Sequence, residues 1–144
     1  MQVDFYQLSR DAAETALALI AGKVIDSGQR LLVVADDAAL RQRIGQALWE
    51  RRDSFLANGE AGGGHDARQP ILLSERAEPT NQARFVAFAD GQWRDEALTF
   101  DRAFLLFDGA TIDQARATWR SLDGREGVER RYWRQDEGKW VQAA

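Results

Sequence analysis

The stretch Phe104-Leu105-Leu106-Phe107-Asp108-Gly109-Ala110-Thr111-Ile112-Asp113-Gln114-Ala115-Arg116-Ala117-Thr118-Trp119-Arg120 reads as a strand, a turn and a helix. Four apolar residues in a row, closed by an Asp-Gly pair, suit a strand buried on both faces. Thr111 followed three residues later by Gln114 has the form of a capping box, so the helix is expected to begin there. Within it, Ile112, Ala115, Trp119 and Leu122 recur at three- and four-residue spacing and form the core face, while Arg116 and Arg120 lie four apart beside Trp119. An aromatic ring flanked by two guanidiniums suits an acidic peptide with a hydrophobic end. The same spacing also describes an ordinary amphipathic helix with solvated arginines.

Working outward, Val3 to Leu8 alternates apolar and polar residues as a strand does, and Asp11 to Ser27 shifts to helical period with Ala13, Leu17, Ile20, Ala21 and Val24 on one stripe. Gly28 ends that helix. Arg30 to Ala35 follows as an apolar, β-branched run, and Asp36 or Asp37 caps a second helix with Leu40, Ile44, Ala47 and Leu48 inward. Pro70 to Leu73 and Arg84 to Phe88 read as further strands, and Arg131 to Arg134 with Lys139 to Val141 as a terminal hairpin. Strands alternating with helices predict an α/β fold: a three-layer α/β/α sandwich around a mostly parallel, Rossmann-like sheet. With 144 residues and no internal repeat or linker, one domain spanning 1–144 is expected.

Several functions are disfavoured. The chain has no cysteine, which excludes disulfides, thiolate nucleophiles and Cys-based zinc sites. Its one histidine, His65, sits in the glycine stretch Gly59 to Asp66, poorly placed for preorganised catalysis. That stretch lacks the Lys-Ser/Thr of a phosphate loop and does not follow the first strand, as a dinucleotide fingerprint must. It reads as a flexible connection. Capping accounts for Asp36 and Asp37 without a metal, so neither a cofactor nor a metal is expected. No run is long enough to cross a bilayer and the start has no signal core, so a cytoplasmic location is expected.

The net charge of −4 opposes whole-surface attraction to nucleic acid. It is uneven, however: Gln114 to Trp140 carries seven cations against five acids, or +2, leaving −6 elsewhere. An anionic partner is therefore expected at the C-terminal end, although a solvated charged segment has the same composition.

The Asp-Phe-Tyr-Gln-Leu opening, the Gly28 to Asp36 strand, Ala47-Leu48-Trp49 followed by Ser54-Phe55-Leu56, the Gln69 to Leu73 strand, and Phe107-Asp108-Gly109 leading to Ala115-Arg116-Ala117-Thr118-Trp119-Arg120 together resemble the chi subunit of bacterial DNA polymerase III. The resemblance spans nearly the whole chain. Where the family often reads Phe-Leu-Pro-His-Gly, this chain has Phe55-Leu56-Ala57-Asn58-Gly59. What it implies is a clamp-loader accessory subunit in DNA replication, without catalytic activity of its own. Its implied partners are the psi subunit or another clamp-loader component and the acidic C-terminal tail of single-stranded DNA-binding protein, with DNA reached mainly indirectly. The family pattern places the tail at Arg116, Trp119 and Arg120, and the psi-facing surface around Trp49, Phe55 and Leu56.

Two other classes remain. A direct single-strand binder would use Trp133 and Trp140 with Arg130, Arg131 and Arg134, because stacking plus cations is the general recipe. A small metal-dependent enzyme would have to use Asp36, Asp37 and His65.

Overall fold

The computed structural model describes residues 1–51, 56–136 and 139–144. In chain order the elements are β1 (Gln2–Gln7), α1 (Ala13–Asp26), β2 (Leu31–Val34), α2 (Ala38–Trp49), β3 (Asn58–Glu60), β4 (Ile71–Ser74), β5 (Phe85–Phe88), β6 (Arg102–Phe107), α3 (Ile112–Ser121), β7 (Glu129–Asp136) and β8 (Lys139–Gln142), with short 3-10 turns at Asp66–Arg68 and Asp95–Thr99. The strands form one sheet in the order β3-β4-β2-β5-β6-β1-β7-β8. Every neighbouring pair is parallel except the hairpin β7–β8.

The two faces of the sheet carry separate cores. Leu31 and Val33 of β2 point toward α1 and α2, while Leu32 and Val34 point to the other side, and all four are fully buried. This is why β2 has no polar alternation: it is covered twice. On the first face Leu17, Ile20 and Val24 of α1 meet Ile44 and Leu48 of α2 over the strands. On the second, Ala115 and Leu122 from the α3 segment and Ala97 and Phe100 from the 3-10 turn region pack on Phe5, Phe88, Leu105 and Phe107. Each fully buried Leu, Ile or Phe contributes about 1.5–3 kcal/mol. The expected three-layer sandwich is thus present, its second outer layer built from one short helix and a 3-10 turn.

Local chemistry sets the element ends. α1 stops at Gly28, whose φ of 82° allows the Gly28 amide to reach the Ile25 carbonyl and the Gln29 amide the Val24 carbonyl. Its start lies two residues later than the sequence suggests, at Ala13. Ala12 provides no side-chain cap, and the Gln135 amide of β7 instead accepts from the Arg10 and Asp11 backbone. At α3 the Thr111–Gln114 capping box does not form: Asp108 accepts from the Ala110 and Thr111 amides, and the Thr111 hydroxyl accepts from the Asp108 amide. The Asp108 carboxylate and the Thr111 hydroxyl thus close the turn that leads into the helix, and no side chain caps the amides of its first turn. The glycine stretch also differs from expectation, because Asn58–Glu60 adds an edge strand beside β4, and Asp66 ties the following turn through the Gly62 amide. Of the hairpin turn, Glu137 and Gly138 lie outside the described residues.

Candidate partner-binding surface on the third helix

Trp119 sits near the C-terminal end of α3, partly buried on the second face of the sheet. Its ring meets Phe5 edge-on at 5.2 Å and Tyr132 edge-on at 5.8 Å between centroids. Arg130 covers it, with the guanidinium carbon 4.1 Å from the ring centroid. That arginine is held in place: Nη1 donates to the Trp119 carbonyl at 2.6 Å and Nη2 to Asp123 at 2.7 Å. A cation at the last carbonyls of a helix also opposes its dipole favourably.

Arg116 and Arg120 are exposed one turn apart on the same helix, and neither forms an ion pair among the described residues. Because β7 runs parallel to β1 with Val3 opposite Arg130 and Phe5 opposite Tyr132, the residues Arg130, Tyr132 and Arg134 all point to the α3 side. Burial pushes the Tyr132 phenol above its ordinary range, against the pull of the nearby Arg116 and Arg134 charges. Its hydroxyl stays protonated and donates to the Gln7 side-chain carbonyl. The surface thus has an indole held by Arg130, with Arg116 and Arg120 exposed on the same helix and Arg134 on the same side of β7. The sequence alone groups Arg130 and Arg134 with the hairpin tryptophans; the alternation Arg130, Tyr132, Arg134 signals only that the three share one face of a strand, and the pairing of β7 with β1 turns that face toward α3.

The same alternation sends Arg131, Trp133 and Gln135 to the opposite face. There Trp133 donates its indole N–H to Asp4 at 3.1 Å and stacks on Tyr6, and Trp140 meets Tyr6 edge-on. The five residues of the single-strand reading are therefore split between two faces, and both tryptophans are engaged in packing.

Trp49 ends α2 with 49% of its surface exposed. Leu56 is buried in the core under α1 and α2, its amide bonded to the Leu48 carbonyl, so its side chain does not reach the surface. Phe55 lies outside the described residues. Asp37 caps α2 through the Ala39 amide, and Asp36 pairs with Arg94 at 2.9 Å. Arg94 also pairs with Asp90. Burial works against the Asp90 charge, yet hydrogen bonds from Arg94 and from the Asp36 and Gln92 amides outweigh it and hold the carboxyl below its usual range. His65 is exposed at the entrance to the first 3-10 turn. Among the described residues no group of three or more His, Asp or Glu side chains is arranged to hold a metal ion, and no helix is long and apolar enough to cross a membrane.

A family model described as DNA polymerase III chi subunit, HolC, matches residues 1–129. Arg130, Tyr132 and Arg134 lie beyond the matched stretch. No curated protein gives a significant match. Among solved structures, the fold is similar to the Sulfolobus solfataricus SWI2/SNF2 ATPase C-terminal domain, at 15% sequence identity and a TM-score of 0.51, with 79% of this chain and 59% of that chain covered. At this identity the likeness concerns the fold alone.

Proposed function

The chain belongs to the DNA polymerase III chi subunit family, and we propose that it acts as a non-catalytic accessory subunit that links the clamp loader to single-stranded DNA-binding protein. Arg116, Trp119 and Arg120 bind the acidic C-terminal tail of that protein, and a second surface around Trp49 receives psi or another clamp-loader component. Phe55 and Leu56, adjacent in sequence, belong to the same proposed region, Leu56 by supporting it from the core. The observation that carries the tail reading is the pair of exposed arginines, without carboxylate partners among the described residues, on the helix whose indole is fixed by Phe5, Tyr132 and Arg130. Guanidiniums suit carboxylates because their forked donors match the two oxygens. The surrounding rings give a hydrophobic side chain a contact surface.

DNA is then reached chiefly through the protein that coats it, in keeping with a net charge of −4. Reversing Arg120 to Glu should abolish recruitment to protein-coated oligonucleotide and leave binding to naked oligonucleotide unchanged. The wild-type tail interaction should weaken with added salt, since exposed ion pairs are screened over about 8–10 Å at ordinary ionic strength. Salt-independent tail binding, or loss of naked-strand binding on Trp133→Ala, overturns the assignment.

A further inference from the structure

On the face of the sheet opposite α3, a cavity of about 190 Å3 opens between the C-terminal half of α1 and the first residues of β5 and β6. Tyr6, Phe85 and Phe104 give it aromatic walls, and Lys23 and Arg102 give it positive charge. Arg102 is unusually well fixed. Its Nε donates to Asp4 at 2.7 Å and its guanidinium carbon lies 4.8 Å from the Phe104 ring centroid. Asp4 itself is fully buried and also accepts from the Gln2 side-chain Nε2 and the Trp133 indole.

A buried carboxylate in the middle of a sheet face costs more than an apolar residue of the same size. Here it orients a guanidinium by one edge. The two terminal NH2 groups of Arg102 make no hydrogen bond among the described residues, and Lys23 is exposed with no ion pair among them. Burial and the neighbouring Asp4 push the Tyr6 phenol up to about 12, so it presents a neutral hydroxyl at any physiological pH. The cavity is smaller than the roughly 300–1,000 Å3 of pockets for whole drug-sized ligands. It has room for one ring and its acidic group and is too small for a nucleotide.

We propose that this cavity binds an aromatic ring carrying a carboxylate, with the ring against Phe85 and Phe104 and the carboxylate on the free edge of Arg102 and on Lys23. Such a group is presented by a free aromatic acid or by a peptide that ends in an aromatic residue. The site shares no residue with the α3 surface, so it stands or falls independently of the tail reading.

The test is an NMR titration of the full chain, isotope-labelled, with three probes: phenylacetate, N-acetyl-glycyl-phenylalanine and the carboxamide of that dipeptide. At least one acid should shift the Trp133 indole and the amides of Lys23, Phe85 and Arg102 saturably. Tighter binding of phenylacetate assigns a small free acid, and tighter binding of the dipeptide assigns a peptide end. The carboxamide should bind about tenfold more weakly or worse, since it forfeits a charge-assisted bond. Arg102→Gln should abolish the shifts. Because that variant orphans Asp4 and can unfold, Lys23→Gln serves beside it: exposed and without a structural contact, it should weaken the acids about two- to fivefold. Equal affinity for the carboxamide, indifference to Lys23→Gln, or shifts confined to the α3 face overturn the proposal.

Discussion

Replacing Arg130 by Met tests whether β7 holds the tryptophan of α3 in place. The arginine makes three contacts of unequal worth: a 2.6 Å bond to the Trp119 carbonyl, a 4.1 Å approach to the Trp119 ring, and a 2.7 Å pair with Asp123. A charged donor on a carbonyl contributes about 1.5 kcal/mol at the low end, appropriate for a side chain 23% exposed. The ring contact adds about 0.5 kcal/mol. The ion pair adds only about 0.3 kcal/mol, because Asp123 is 72% exposed. Methionine keeps part of the packing over the indole, so the net loss should be about 2 kcal/mol, lowering the melting temperature by about 8 °C in a domain of this size. Asp123→Asn removes only the weakest contact and should cost less than about 0.5 kcal/mol. On the tail reading the two variants then diverge: Arg130→Met weakens tail-peptide binding, whereas Asp123→Asn frees Nη2 for a ligand carboxylate and strengthens it severalfold. Thermal unfolding by near-ultraviolet circular dichroism and peptide titration by fluorescence anisotropy measure both. If Arg130→Met melts within 2 °C of the wild type, a threshold of roughly 0.5 kcal/mol, the contacts are solvent-screened and the reasoning fails.

Arg102→Met should destabilise the fold by about 3 kcal/mol, because it leaves the fully buried Asp4 charge without its cation; adding Asp4→Asn should recover about half, and a double variant no better than the single one would contradict this, as judged by urea denaturation. Raising pH past the ordinary tyrosine value of 10 should leave Tyr6 protonated until about pH 12. The folded state holds that proton more tightly than the unfolded chain, so the stabilisation is complete below pH 10 and is lost as pH climbs toward 12; phenolate absorbance and melting followed together will show it, and a Tyr6 that ionises with free tyrosine refutes it. Trp49→Ala, at a position 49% exposed, should change stability by less than about 1 kcal/mol while disrupting co-purification with a clamp-loader component. Unfolding of that variant would make Trp49 a packing residue instead.

The apolar runs at Leu31 to Val34 and Phe104 to Phe107 made the doubly covered parallel sheet legible, since only burial on both faces tolerates such runs. The α3 stripe was legible for the same reason, from its spacing. What stayed hidden depends on partners distant in sequence. Asn58–Glu60 has no apolar signature and becomes a strand only because β4 offers it an edge. Asp4, in a strand otherwise readable as polar on one side, is fully buried because Arg102 and Trp133 arrive beside it from 98 and 129 residues away. Arg130 belongs to the Trp119 site through the β1–β7 register, which no local pattern specifies.

The position of β1 has a consequence for how the chain acquires its structure. β1 pairs with β6 and β7, two strands far downstream of it in the chain, whose opposing residues begin at Arg102 and Glu129. Until those segments are synthesised, both edges of β1 are open, and Phe5 has none of its ring partners Phe107 and Trp119. The early β2-β4-β5 half of the sheet can assemble first, and insertion of β1 between two late strands closes the longest loops last. Removing β7 and β8 would therefore leave β1 as an open edge, exposed to pair with another molecule.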